Sequence, residues 1–320
     1  MDTLSHALIG LAVASLSGHA PSIHDPIYVA TILGAQAPDF DIITQLRGNV
    51  TYLRQHRAFS HSLPGICGWS LAIALALSFF MPQAASFWQL CAWSFAGALS
   101  HILIDYFNTH GVAILWPFRK ERKSCPLLNV FDPVLLLLLL APYATRTPLQ
   151  HIALTSFSLL TCYCLARCLM RLKAARWLKD HFSHLDIEQV WVMPSLKGLL
   201  FWDFVTETKG RILNGRIGAF YPVLEVRVDL PKDRHSLRTA EARKTALGEF
   251  FQIFSPFIYF EEHPDDAAQI VTIYDLRYFT DHHFVHSGTI VFGQNNAPCA
   301  SYIHSLGRTS ELPVAGNCHL

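Results

Sequence analysis

Two imidazoles and a guanidinium stand at the mouth of an apolar segment: the run HRAFSHS, His56 to Ser62, leads straight into LPGICGWSLAIALALSFFM. Further along, HILID sets His101 and Asp105 four residues apart, on one face of a helix. APDFD supplies Asp39 and Asp41, the opening DTLSHALIG carries His6, and NTHG carries His110. Imidazole and carboxylate are the ligand set of zinc, and also of iron and manganese. Burying this many polar groups in an apolar setting is costly unless they are paired or coordinated. More than four good ligands leaves room for two or three ions, and multi-metal sites of that kind make hydroxide at neutral pH and clamp a phosphate. Arg57 is a different case, because a guanidinium has no lone pair to offer and stays protonated. It suits an anionic oxygen of a substrate or the orienting of a ligand aspartate, and equally a plain basic anchor at a membrane face. Asp41, if no ion takes it, is a candidate base.

Each feature has an ordinary explanation when taken alone. A histidine near a helix end is usually a core or capping residue, an i,i+4 His/Asp pair is usually a plain hydrogen bond, and PDFD reads as a turn beside a helix cap. Only convergence on one place makes a metal site the better reading, so the elements have to bring the residues together.

Those elements read as membrane helices. Only 15% of the 320 residues are charged, against roughly 25% in an average soluble domain, and the deficit is concentrated between residues 60 and 170. Four segments reach the roughly 20 residues that a span needs: Leu63 to Met81, Phe87 to Phe107, about Leu127 to Ala144, and Leu149 to Met170. Two shorter apolar stretches, Leu4 to Ser17 and Pro26 to Ala37, suit a helical hairpin that enters the bilayer partway. The basic runs FRKERK and RCLMRLKAARWLK, with Arg47, Arg54 and Arg57, fall on one side if the four spans alternate, and that side is expected to be the cytoplasm. A hairpin starting on that side places His6, Asp39, Asp41, His56, His61, His101, Asp105 and His110 at the same membrane face.

The expected fold is an α-helical membrane bundle of four spans plus the N-terminal helical hairpin over residues 1–170. A basic amphipathic linker follows over 171–185, then a small α+β domain on the cytoplasmic side over 186–320. That domain shows strand-like runs such as QVWVMPS and RIGAFYPVLEVRV and a helix pattern from Ser236 to Phe254. The net charge of +1 makes no case for nucleic acid. Eight cysteines without a C-x-x-C pair read as buried, reduced thiols. The opening, with Asp2 and His6 and no basic start, reads as a retained helix and not as a cleaved signal.

On DTLSHALIG, PDFD, HRAFSHS and GALSHILIDYFNTHG the sequence resembles the YdjM-like family of membrane-bound metal-dependent hydrolases, some of whose members are LexA-regulated. That family usually writes the third motif HR-x-x-THS; Ser60 stands here in place of the threonine. PSLKGLLFWDF, FSPFIYFEE and YDLRYF look like the soluble extension of a subset of the family. A looser likeness connects the N-terminal region to zinc-dependent phospholipase C and P1-type nucleases, helical enzymes that cut phosphodiesters with three zinc ions. This resemblance implies His6, Asp39, His56, His61, His101 and Asp105 as metal ligands. Zinc is the expected metal, as two or three ions, with Arg57 holding an anionic oxygen and an unligated Asp41 as base the expected catalytic groups.

The function expected is therefore that of an inner-membrane, multi-pass, metal-dependent hydrolase, taking a lipid or lipid-linked phosphoester from the bilayer at the cytoplasmic leaflet. Two other classes compete. A transporter would use the same His/Asp cluster to relay protons or carry a metal, although pumps put such groups within their spans. A non-catalytic anchor would merely present the C-terminal domain. The residues do not set the oligomeric state.

Overall fold

The computed structural model describes residues 1–47, 57–81, 85–196, 198–221, 223–232, 236–263, 269–280, 282–293, 297–305 and 307–312. Two compact units divide the chain, Met1–Leu169 and Met170–Leu320.

The first unit is helical. Helix α1 (Thr3–Ser15) starts where the Asp2 side chain accepts from the Ser5 amide. Helix α2 (Pro26–Gln36) starts at Asp25, with proline in its first turn, where its missing N–H costs nothing. The two form the expected hairpin, and a 3₁₀ segment, Ala37–Arg47, continues from α2. Helix α3 (Leu63–Phe80) is capped by Ser62, and α4 (Phe87–Tyr106) by a capping box between Ser86 and Gln89. Small residues draw α2 hard against α4. A Cβ on Gly34 would lie 2.1 Å from the Ser94 carbonyl oxygen, and one on Gly97 would lie 2.1 Å from the Thr31 carbonyl oxygen. Such close backbone approach is how helices associate where lipid removes the hydrophobic drive.

Among the described residues three helices are long and apolar enough to cross a membrane: α3, α4 and α6 (Leu149–His181). The fourth expected span, around Leu127 to Ala144, falls short. It is helix α5 (Pro133–Leu140), eight residues, followed by the four-residue 3₁₀ turn Ala141–Ala144. The cause is Asp132, a buried side chain that accepts from the Val134 and Leu135 amides and from the Tyr163 hydroxyl. That fixes the helix start at Pro133 and leaves a length of about 20 Å against the ~30 Å of a hydrocarbon core.

The second unit is β-rich. Residues 171–181, expected as a linker, are the last turns of α6, and Ala174 and Leu178 are buried with Trp202, Phe204 and Leu213. One antiparallel meander, β1 (Ile187–Pro194), β2 (Phe201–Thr208), β3 (Arg211–Gly218) and β4 (Leu224–Pro231), receives that helical face. A second antiparallel sheet has the order β11-β10-β9-β6-β5, from Arg308–Leu312, Pro298–Ser305, His286–Phe292, Gln269–Asp275 and Ile258–His263. A short hairpin, β7 (Phe279–Thr280) and β8 (His283–Phe284), forms a ladder of its own and packs Phe284 with Val205 and Tyr259. The expected single helix over Ser236 to Phe254 is two, α7 (Leu237–Lys244) and α8 (Ala246–Phe254). Thr245 breaks it, being extended, with its side chain accepting from the Gly248 amide to cap α8. The cysteines also differ from expectation: Cys67 and Cys162 are exposed free thiols, and Cys299 is disulfide-bonded.

Candidate metal centre

The site grows from the ends of the first unit's helices. His6 lies one turn into α1, Asp39 opens the 3₁₀ segment after α2, His61 immediately precedes the cap of α3, and His101 and Asp105 share a face near the end of α4. The glycine contacts of α2 with α4 put Ala35 beside His101, and the Ala35 carbonyl accepts from His101 Nδ1 at 2.7 Å. The chain before α3 is folded tightly onto it, so that a Cβ on Gly65 would meet the Phe59 carbonyl oxygen at 2.0 Å. Arg57 opens that fold with φ +63°, a conformation uncommon outside glycine.

His6, His61, His101 and Asp105 are fully buried. The Nε2 atoms of His61 and His101 stand 3.1 Å apart. His61 Nε2 is 3.4 Å from Asp39 Oδ1 and 3.6 Å from Asp105 Oδ2, and His101 Nε2 is 3.6 Å from Asp39 Oδ1. The His6 ring stacks on His101 with centroids 3.6 Å apart, and its Nε2 reaches to 3.5 Å from Asp105 Oδ1. Neither nitrogen of His6, nor Asp105 Oδ2, has a hydrogen-bond partner. The amino group of Met1 also lies against Asp105 Oδ1.

Hydrogen bonding fixes the tautomers. A carbonyl oxygen only accepts, so His101 Nδ1 carries the proton shared with Ala35, and its Nε2 is left a lone pair. Ser60 Oγ donates to Asp41 Oδ2 at 2.7 Å, and its remaining lone pairs face His61 Nδ1 at 3.0 Å. His61 Nδ1 is therefore also protonated and its Nε2 also a lone pair. Partners of this kind orient metal-binding histidines and raise their basicity.

Two groups of side chains offer one ligand atom each within 4.8 Å of one another: His6, Asp39 and His101, and His61, His101 and Asp105. The orphaned nitrogens of His6 and the two facing lone pairs are what a divalent cation would satisfy, so the residues fit a metal ion. Five of the six expected ligands thus lie together. The sixth, His56, lies outside the described residues. Asp41 stands one step back, bonded to Ser60 and 3.7 Å from His61 Nδ1. His110, half-buried, belongs to neither group, and its amide donates to Asn108 Oδ1. Arg57 is buried, with Nε 3.3 Å from Asp105 Oδ2 and a terminal nitrogen 3.4 Å from Asn108 Oδ1. Three supports were not anticipated: Ser60, Asn108 and the Ala35 carbonyl. The first two carried a signal, as polar side chains beside His61 and one turn after Asp105.

The whole cluster falls in the stretch, residues 1–174, that matches the family model described as YdjM inner membrane protein. The chain belongs to the YdjM inner membrane protein family. Residues 238–312 match a second model, the YfhP C-terminal alpha/beta plait domain, which takes in α7, α8 and the five-stranded sheet. Among curated proteins the chain is 29% identical over 317 residues to "Uncharacterized protein YfhP" of Bacillus subtilis (strain 168), covering 94% of each chain. No solved structure matches.

Proposed function

We propose that this YdjM-family protein is an integral membrane metal-dependent hydrolase whose substrate is a phosphoester, lipid or lipid-linked, taken at the cytoplasmic face. The observation that carries the reading is the pair of imidazole lone pairs 3.1 Å apart between the buried Asp105 and the half-buried Asp39. His6, Asp39, His61, His101 and Asp105 would hold the ion or ions, with zinc the first candidate on donor chemistry. A divalent ion there supplies Lewis-acid polarisation of a phosphoryl oxygen and water activation at neutral pH.

This chain's own groups do the rest. Arg57 holds Asp105 in place through Nε and keeps guanidinium N–H groups for an anionic substrate oxygen. Asp41 acts through Ser60 to hold the His61 tautomer, a positioning role in place of the base expected from the sequence. His101 and Asp105 lie near one end of α4, and α3 has no acidic, basic or histidine side chain, an arrangement that favours a site at a membrane face over a relay through the bilayer.

The cytoplasmic face of the site rests on the basic run after α4. The basic run at the exit of α6 shares that side when Pro133–Ala144 completes a fourth crossing, and lies opposite with three. Protease digestion of the C-terminal unit in spheroplasts decides between them: protection means four crossings, cleavage from outside means three. The activity is tested with purified protein and a panel of lipid phosphoesters. Phosphate release that stops on chelation and returns with added zinc supports the reading. Release that ignores chelation sinks it, as does no release from any member of the panel by the metal-loaded protein.

A further inference from the structure

The meander sheet ends in an apolar tip. Leu200, Phe220, Tyr221 and Val223 are 61–79% exposed, and Leu196 and Phe201 are exposed beside them. They come from two turns, β1–β2 and β3–β4, brought side by side by the pairing of Phe201 with Gly218 and by the Ala219 amide donating to the Leu200 carbonyl at 2.8 Å. A cluster of large apolar side chains on adjacent turns is the kind of exposed patch that marks an interaction surface.

Its place on the sheet says what covers it. Residues 170–181 of α6 pack on this sheet, and β1 returns antiparallel to them. Arg171 Nε donates to the Val192 carbonyl at 2.8 Å, and its guanidinium lies over Trp191, close to the β1–β2 turn. The other end of the sheet is marked by the β2–β3 turn, where the Lys209 amide donates to the Asp186 carbonyl just beyond the helix's last residue. The tip therefore lies at the end where residue 170 enters the sheet's helix. That same helix is, over its preceding residues, one of the three long enough and apolar enough to cross a membrane.

We propose that this two-turn tip seats in the headgroup–acyl boundary of the bilayer that α6 crosses. Phe220 and Tyr221 take the interfacial position that aromatic side chains favour, the aliphatic residues reach the acyl region, and Arg171 and Lys173 face anionic headgroups. Burial of the tip offsets the cost of exposing these side chains to water and ties the β-rich unit to the membrane surface at a second point besides the helix. The inference is independent of any catalytic role and of which leaflet is involved.

The test uses full-length protein in nanodiscs of phosphatidylethanolamine and phosphatidylglycerol, with the photo-crosslinker p-benzoylphenylalanine placed singly at Leu200, at Tyr221 and, as the far-end control, at Lys209. All three positions are exposed, so folding is not at stake. Illumination is expected to give phospholipid adducts at 200 and 221 that are lost at 209, read by mass spectrometry. Crosslinks from 200 and 221 to a second copy of the chain would overturn the proposal, and so would lipid adducts no more frequent there than at 209.

Discussion

His61 and His101 face each other Nε2 to Nε2 across 3.1 Å, with both Nδ1 protons already given away, to Ser60 and to the Ala35 carbonyl. Two lone pairs at that distance repel unless something electropositive lies with them. A single proton satisfies the pair alone. It leaves His6, stacked on His101 with neither ring nitrogen bonded, without a partner. A divalent ion satisfies all three rings and the carboxylates around them.

Ser60→Ala removes the link between Asp41 and His61 without touching a ligand atom. Metal affinity is expected to fall roughly 10- to 100-fold, the usual cost of losing such a support, with the fold retained. Competition with a chelator of known affinity measures it. An unchanged Kd would show that the Asp41–Ser60 pair is only a local turn contact.

Gly97→Val drives a side chain into the Thr31 carbonyl at the contact of α2 with α4. Overpacking of this kind costs about 1–3 kcal/mol or more. Because α2 carries Asp39 at its exit and the Ala35 carbonyl in its last turn, metal binding should weaken along with thermal stability. Loss of stability with full metal retention would mean that the hairpin does not set the site.

Protons compete with the ion for imidazole lone pairs. Metal affinity should therefore fall as pH is lowered, with protons released on binding. Equilibrium dialysis across pH gives the curve. An affinity that does not change between about pH 8 and pH 3 would contradict histidine ligation.

In the β-rich unit Asp275 is buried against Arg277, with oxygens 2.7–3.0 Å from the guanidinium nitrogens. Burial acts to raise the Asp275 carboxyl, and the charge and hydrogen bonds of Arg277 outweigh it, so its pKa lies below the ordinary value. A group lowered in the folded state stabilises it above the unfolded pKa, about 3.9, and that stability is lost as pH falls through the folded value. Asp275→Asn strands the buried guanidinium and is expected to cost about 3–5 kcal/mol at pH 7. Hydrogen exchange of the peptides covering 254–290 reads both effects: the wild type should lose protection below pH 4, and the variant should be poorly protected already at pH 7.

Much of this was legible in the sequence, for reasons particular residues make plain. His101 and Asp105 share a helical face by spacing alone. Apolar length identified α3, α4 and α6, and the hairpin followed from the two short stretches before them. The fourth span was misread because hydropathy counts leucines and does not see that Asp132 caps the chain at Pro133, after which too few residues remain. Thr245 hid a helix break in the same way, by a cap inside an otherwise helical pattern. The Ala35 carbonyl could not be anticipated, since a backbone acceptor leaves no mark on residue identity and depends on how closely Gly34 and Gly97 let two helices approach.

Elemental analysis of the full-length protein, purified in mild detergent beside His61→Ala and Asp105→Ala, decides whether a metal ion holds the cluster together. The wild type should carry about one divalent ion per chain, because the two ligand groups share His101 and its one free lone pair, and both variants should lose metal while still eluting as folded protein. Wild-type protein free of divalent metal, or variants that keep the full complement, would contradict a metal-held cluster.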